Sequence, residues 1–531
     1  MNILTSNNDC LRYLFGFLSD LDFINWLKTC KYCYQQKKLK ILTDGYTLAS
    51  IYTIIANYQF SNISIDVDFS KLLIDLTPAV SSGQRVVDYI FYQYLDIIST
   101  SSYNLTRLTL GTLYNQPIDK LLSFDNLTHL TFNGCFNQSL DNLSRFNFLT
   151  HLSLNCSFNQ SIDHLPIKLT HLTLDYGFNR SVDHLPTNLT HLILGYSFDQ
   201  SVDHLPPNLT HLTLGYKFNQ TIDHLPTTLT HLTLEVYFNQ PINHLPPNLT
   251  HLILSNSFNQ SVDHLPGTLT HLTLGDHFNQ PINHLPANLT HLTIGDEFNQ
   301  FVDFLPAALT HLTLGKSFNL PIDHLPVNLT HLILGLYFNQ SIDKLPPMLT
   351  HLTVGDYFNQ SIDYLPGKLS QLIVGDNFNR SVDKLPSSLI ILNFGNDFDQ
   401  TVDYLPINLI SLKFGNCFNQ SVDHLPVTLT DLTFGDDFNQ SINYLPNTIT
   451  CLTFGYNFNQ CVDHLRNFDK LTHLTLGGYF NQSINSLPFN LTYLILGCNF
   501  NQVIDHLPSK LTHLSPSSFN YPHCFAMRIV K

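Results

Sequence analysis

A chain of 531 residues with 43% apolar content has room for three or four globular domains, but that prior lapses where a sequence repeats, because a solenoid grows by adding units. Its formal net charge of −15, from 25 lysines and arginines against 40 carboxylates, excludes the clustered basic footprint of a nucleic-acid binder. No run of about 18 apolar residues is present to span a membrane, and Met1-Asn2-Ile3-Leu4-Thr5-Ser6-Asn7-Asn8-Asp9 lacks the basic and apolar regions of a signal peptide.

The ten cysteines are scattered singly apart from Cys30 and Cys33, which is not the pattern of a secreted disulfide framework. The expected home is therefore cytoplasmic and not secreted. Triplets of the glycosylation type, such as Asn159-Gln160-Ser161 and Asn188-Leu189-Thr190, recur because a longer unit recurs.

Residues 1–40 open the chain with helical spacing. Leu11, Leu14, Phe15 and Leu18 form one apolar set, and Phe23, Trp26, Leu27 and Cys30 form a second. Residues 41–104 read as a linker and N-terminal cap, in which Arg85 to Leu95 is an apolar helix suited to sealing a core edge.

From 105 to 514 the chain repeats L-x-x-L-x-L-x-x-x-F-N-x-x-[IV]-x-x-L-P-x-x, as in Leu169 to Asn188. Steps are 20 residues, with three of 22, and the longer units contain Leu121, Leu143 and Leu465. In these the Leu-Pro pair becomes Leu-x-x-Phe, with Phe124, Phe146 and Phe468, so the extra residues fall in one turn. The alternation at Leu172-Thr173-Leu174 is a short strand with Leu172 and Leu174 inward, His171 and Thr173 outward. One unit cannot bury its own apolar side. Stacked units can, so the expected fold is a solenoid of about 20 units of 20–22 residues with a parallel sheet. Phe178, Val182 and Leu185 are expected in its core, Phe178 within an aromatic spine, and Asn179 is expected as a buried partner for turn backbone. Residues 515–531, with Phe519, Phe525 and Ile529, form a C-terminal cap or tail.

The array resembles FNIP repeats, a leucine-rich-repeat variant of amoebae and their giant viruses. The likeness rests on the Leu-Thr-x-Leu-x-Leu-Gly, Phe-Asn-Gln-[Ser/Pro]-[Ile/Val] and Leu-Pro elements, with Phe238-Asn239-Gln240-Pro241-Ile242 a close match. Ordinary leucine-rich repeats place their Asn three residues after the last strand Leu, whereas Asn179 lies five after Leu174. The stretch from Cys10 to Lys31 is similar to an F-box, although Ser6-Asn7-Asn8-Asp9 stands where the usual Leu-Pro-x-Glu opening would be. An F-box implies docking to the adaptor of cullin–RING ubiquitin ligases, here through Leu11, Leu14, Phe15, Leu18 and Trp26. The alternative for these helices is a plain cap on the open end of the solenoid.

Singular chemistry is hard to find in such a pattern. Cys30-Lys31-Tyr32-Cys33 has no second pair for zinc. Gly315-Lys316-Ser317 imitates a P-loop ending, but Thr310 holds the place of the earlier glycine. A histidine column precedes the inward strand leucine from His129 through His171, His191 and His211 to His351, and a second precedes Leu-Pro at His164, His184 and His204. A flat ladder of imidazoles does not supply four tetrahedral metal ligands. Catalysis needs one constellation, not a column of equivalents. No enzyme activity, cofactor or metal is expected.

Variation among units is more informative. From 371 to 451 the histidine column lapses to Gln371, Ile391, Ser411, Asp431 and Cys451, while the last strand residue becomes Phe394, Phe414, Phe434 and Phe454. Asp356, Asp376, Asp397, Asp436 and Asp437 lie just beyond these strands. Drift among copies and a distinct acidic partner site both fit. The candidate partner-binding face therefore comprises His171, His191, His211, Gln371, Ile391, Ser411 and Asp431. The expected function is substrate recognition in an F-box ubiquitin ligase by a monomer that binds one adaptor and an unknown target protein. The alternative is a scaffold or decoy without ligase contact.

Overall fold

The computed structural model describes residues 38–40, 62–65, 106–110, 114–123 and 126–516. The helices expected within 1–40, with Leu11, Leu14, Phe15, Leu18, Trp26 and the Cys30–Cys33 pair, lie outside the described residues. So do the helix expected at 85–95, Phe124, and Phe519, Phe525 and Ile529 of the tail. By its internal contacts the chain divides into two compact units, residues 1–249 and 250–531.

In the first unit the described strands run in chain order from Lys38–Lys40 and Asn62–Ile65 through Arg107–Leu110 and His129–Gly134 to His231–Leu234. Each pairs in parallel with its sequence neighbour. In the second unit the strands run from His251–Leu254 to His513–Pro516 in the same manner. The fold is the expected parallel, leucine-rich-repeat-like stack. Lys38–Lys40 and Asn62–Ile65 carry no repeat consensus, yet they prolong the sheet ahead of the first recognisable unit.

The strands form because apolar residues alternate. Leu172 and Leu174 are 1% and 0% exposed, whereas His171 and Thr173 are half-buried on the opposite face. A one-residue slip would exchange the two faces, so burial fixes the register, His171 opposite His191 and Leu172 opposite Leu192. Two turns close each coil. The Leu189 N–H donates to the Pro186 carbonyl at 3.0 Å, and the Phe198 N–H donates to the Gly195 carbonyl at 3.3 Å. Where a coil enters its strand, the N–H groups of Thr190 and His191 both donate to the carbonyl of Thr170, at 2.9 and 3.0 Å.

Phe178, Val182 and Leu185 are buried as expected. Successive spine rings lie near 6 Å apart and almost parallel, Phe318 and Phe338 being 6.1 Å and 2°. Each fully buried ring or leucine contributes about 1.5–3 kcal/mol relative to an exposed one. The Asn column also works as expected, but at the surface more than in the core. Asn279 Oδ1 accepts from the Asn299 N–H at 3.0 Å and from Gln300 Nε2 at 3.2 Å, and both acceptor and donors remain partly exposed. In the longer units the two extra residues are not slack loop. They wind into short 3-10 helices at Ile118–Ser123, Asp141–Arg145 and Asp463–Asn467, which bury Leu121, Leu143 and Leu465.

Phe394, Phe414, Phe434 and Phe454 point inward, at 1–4% exposure. Each stacks on the spine ring of its own coil, as Phe414 does on Phe418 at 3.8 Å. This change alters the interior and leaves the outer face untouched.

Candidate interaction surface

The outward positions of each strand form an open face. In the first unit His129, His151, His171, His191 and His211 stack in one file, with ring centroids 4.0–4.2 Å apart. In the second unit His271, His291, His311, His331 and His351 stack at 4.2 Å. Beside the files run the next outward residues, including Ile193, Ile253 and Ile333 at 44%, 41% and 46% exposure.

A residue type that the sequence reading passed over holds the rings in place. The threonine before each of these file histidines lies between two hydrogen-bond partners: Thr310 Oγ1 is 3.1 Å from the Thr290 carbonyl and 2.9 Å from Nδ1 of His311. The same pair recurs at Thr170 and His171, Thr190 and His191, and Thr210 and His211. The signal was present in the sequence as the repeated Leu-Thr-His, whose Thr does not face the core.

Partial burial is the first cause that lowers the pKa of His171, His191 and His211, and the charge of neighbouring imidazoles is the second. His291, His311 and His331 are lowered by the same causes in the same order. These rings are therefore neutral at pH 7. Parallel rings aim their nitrogens side by side and not at a common point. Among the described residues no group of three or more His, Cys, Asp or Glu side chains is placed to hold a metal ion.

Gln371, Ile391, Ser411 and Asp431 continue the register of His351 in the second unit. Each candidate set is thus contiguous within its own unit. Where the histidine lapses, its threonine partner lapses over part of the same stretch, to Ser370, Ile390 and Ile410, and the two isoleucines are 41% and 43% exposed. Asp431 keeps a version of the contact, accepting from Thr430 Oγ1 at 2.5 Å. At the strand ends Asp356, Asp397, Asp436 and Asp437 are exposed and Asp376 half-buried. Asp376 and Asp436 also accept backbone N–H groups of the following coil, from Asn396 and Tyr456.

Other surface columns have plain partners. Return-edge histidines meet the aspartate one coil earlier, as His284 does Asp263 at 3.2 Å and His424 does Asp403 at 3.1 Å. Lys316 of the P-loop imitation pairs with Asp296. Tyr176, Tyr196 and Tyr216 stack at 5.0 and 4.6 Å beyond their strands. Among the described residues no helix is long and apolar enough to cross a membrane.

The FNIP Repeat family model matches residues 178–457 in overlapping copies and again 469–519. The chain belongs to the FNIP repeat family. It is 45% identical to CroV588, described as a novel circular leucine-rich-repeat protein, with a TM-score of 0.71 over 78% of this chain and 66% of that one. This FNIP repeat chain thus spans just under two thirds of that relative's length. Its likeness to TLR13 in the TLR13–ssRNA13 complex is one of fold alone, at 18% identity and a TM-score of 0.51, covering 79% of this chain and 74% of that one. YopM from Yersinia enterocolitica WA-314 is 21% identical, with a TM-score of 0.43, covering 78% of this chain and 86% of that one. No curated protein matches this FNIP repeat chain.

Proposed function

We propose that this FNIP repeat protein binds another protein on the open face of its sheet and serves as the substrate-recognition subunit of an F-box, cullin–RING ubiquitin ligase. The observation that carries the binding reading is the face itself. Within residues 250–531 it is a solvent-open surface whose polar side chains are held by backbone-anchored threonines and whose Ile253 and Ile333 stand 41% and 46% exposed. Such a receptor makes no bond. It raises the local concentration of its target near the ligase. The ligase half of the reading rests on the F-box-like sequence of residues 10–31, in which Leu11, Leu14, Phe15, Leu18 and Trp26 are the residues proposed for adaptor docking. The opening Ser6-Asn7-Asn8-Asp9, which lacks Leu-Pro, favours a second reading, a scaffold or decoy that binds proteins without ligase contact.

Two arms test the proposal. A photo-crosslinking residue at Thr313 on the sheet face should capture the partner, whereas the same residue at His324 on the return edge should not. Equal capture at both positions defeats the face assignment. Full-length protein should retain the ligase adaptor, and L14A/F15A should release it. Retention of a partner at Thr313 without any adaptor leaves the scaffold reading.

A further inference from the structure

The threonine–imidazole contacts of the second unit fix where the protons sit. A threonine hydroxyl has one proton and a backbone carbonyl has none. Thr290 Oγ1 is 3.0 Å from the Thr270 carbonyl oxygen and 2.9 Å from Nδ1 of His291. If the hydroxyl gave its proton to Nδ1, two oxygen lone pairs would face each other across the first contact. One arrangement satisfies both: the hydroxyl donates to the carbonyl, and an Nδ1–H donates to the hydroxyl. The same pair of distances recurs at Thr310, Thr330 and Thr350. The neutral rings therefore carry their proton on the inner nitrogen and turn a bare Nε2 outward, where no hydrogen bond reaches it among the described residues. A second proton adds at Nε2 and leaves the inner bonds intact, so the outward atom changes from acceptor to cationic donor.

The charge around this file is one-sided. Residues 250–516 hold twenty-one carboxylates against nine lysines and arginines. At the ends of the file's strands stand Asp276, Asp296 and Asp356, and Glu297, whose carboxylate meets His277 Nδ1 at 2.7 Å. Of the cations near the file, Lys316 is tied to Asp296, and Lys368 sits at the opposite end of its strand, with Nζ directed at Met348 Sδ. Among the described residues, the charged neighbours that lower His291, His311 and His331 are other rings of the file.

We propose that the imidazole file from His271 to His351 docks an extended, lysine- or arginine-rich segment of the partner protein, whose donors bond to the bare Nε2 atoms. This rests on the protein-binding reading above and names its partner chemistry. Neutral rings accept those donors and the surrounding carboxylates attract their charge. Protonation removes the acceptors and sets cation against cation, so acidification releases the segment.

The test uses the full chain and two labelled peptides, one of alternating Lys and Ser and one of alternating Glu and Ser, followed by fluorescence anisotropy. The Lys peptide should bind at about pH 7.5 and weaken at least about tenfold by about pH 5.5, with the fold checked by circular dichroism. H291F/H311F/H331F keeps ring stacking and removes the acceptors, so it should abolish binding. Unchanged binding in that variant, or preference for the Glu peptide, overturns the proposal. Should the variant fail to fold, 15N NMR of the native imidazoles decides: a proton on Nε2 at neutral pH overturns it, and a bare Nε2 supports it. A partner captured at Thr313 that is not basic sinks this inference alone and leaves the protein-binding reading standing.

Discussion

The rings of His311 and His331 lie 4.2 Å apart, 11° from parallel, and after partial burial the His331 charge is the next cause that lowers the readiness of His311 to take a proton. With the folded pKa below the ordinary value of 6.5, the unfolded chain binds more protons whenever the pH lies between the two. The rings cost nothing well above pH 6.5, where both states are neutral. Stability falls as the pH drops below 6.5 through the folded values, with eight file histidines from His129 to His331 contributing in the same sense. Urea unfolding across this range should show the decline, and H291Q/H311Q/H331Q should flatten it. A stability profile with no slope below pH 6.5 contradicts this account.

The Asn column requires an acceptor and nothing more. Asp399 stands in it and accepts from the Asn419 N–H at 2.9 Å and from Gln420 Nε2 at 3.0 Å, as the asparagines do. Asn279→Asp should therefore be nearly neutral. Asn279→Leu leaves the Asn299 N–H without its partner and should cost about 1 kcal/mol, at the low end because water reaches the site. Equal losses in denaturant unfolding for the two variants would contradict the assignment.

Phe318 is fully buried between Phe298 and Phe338. Phe318→Ala should cost about 3–5 kcal/mol through lost burial and the cavity left behind. Phe304, at 68% exposure, sits in a return-edge slot that most other coils fill with histidine, lysine or tyrosine. Phe304→Lys should change stability by no more than about 0.5 kcal/mol. Calorimetry of the two variants separates the spine from the surface.

Glycine after the strand marks a close approach of coils. A Cβ on Gly335 would land on the carbonyl of Gly315, whereas one on Gly267 would meet nothing. Gly335→Ala should destabilise by about 1–3 kcal/mol, because backbone must move. Gly267→Ala should be tolerated. Thermal shifts of similar size in the two would refute the contact.

The sequence by itself determined the repeat, the inward leucines and the parallel in-register stack. Alternation allows one buried face, and a unit of 20 residues cannot close a core alone. It also placed His171, His191 and His211 in one column, since equal spacing with parallel pairing forces equal register. Tertiary structure decided what no single unit contains. Phe394 takes the inward slot that alternation already assigns to Leu174, but only the stacked coils bring its ring against the spine rings of Phe378 and Phe398. The two extra residues of the long units became 3-10 helices because a buried leucine anchors each one. Above all, the proton positions along the histidine file follow from a carbonyl one coil away, Thr290 for Thr310, and that partner exists only once the coils have stacked.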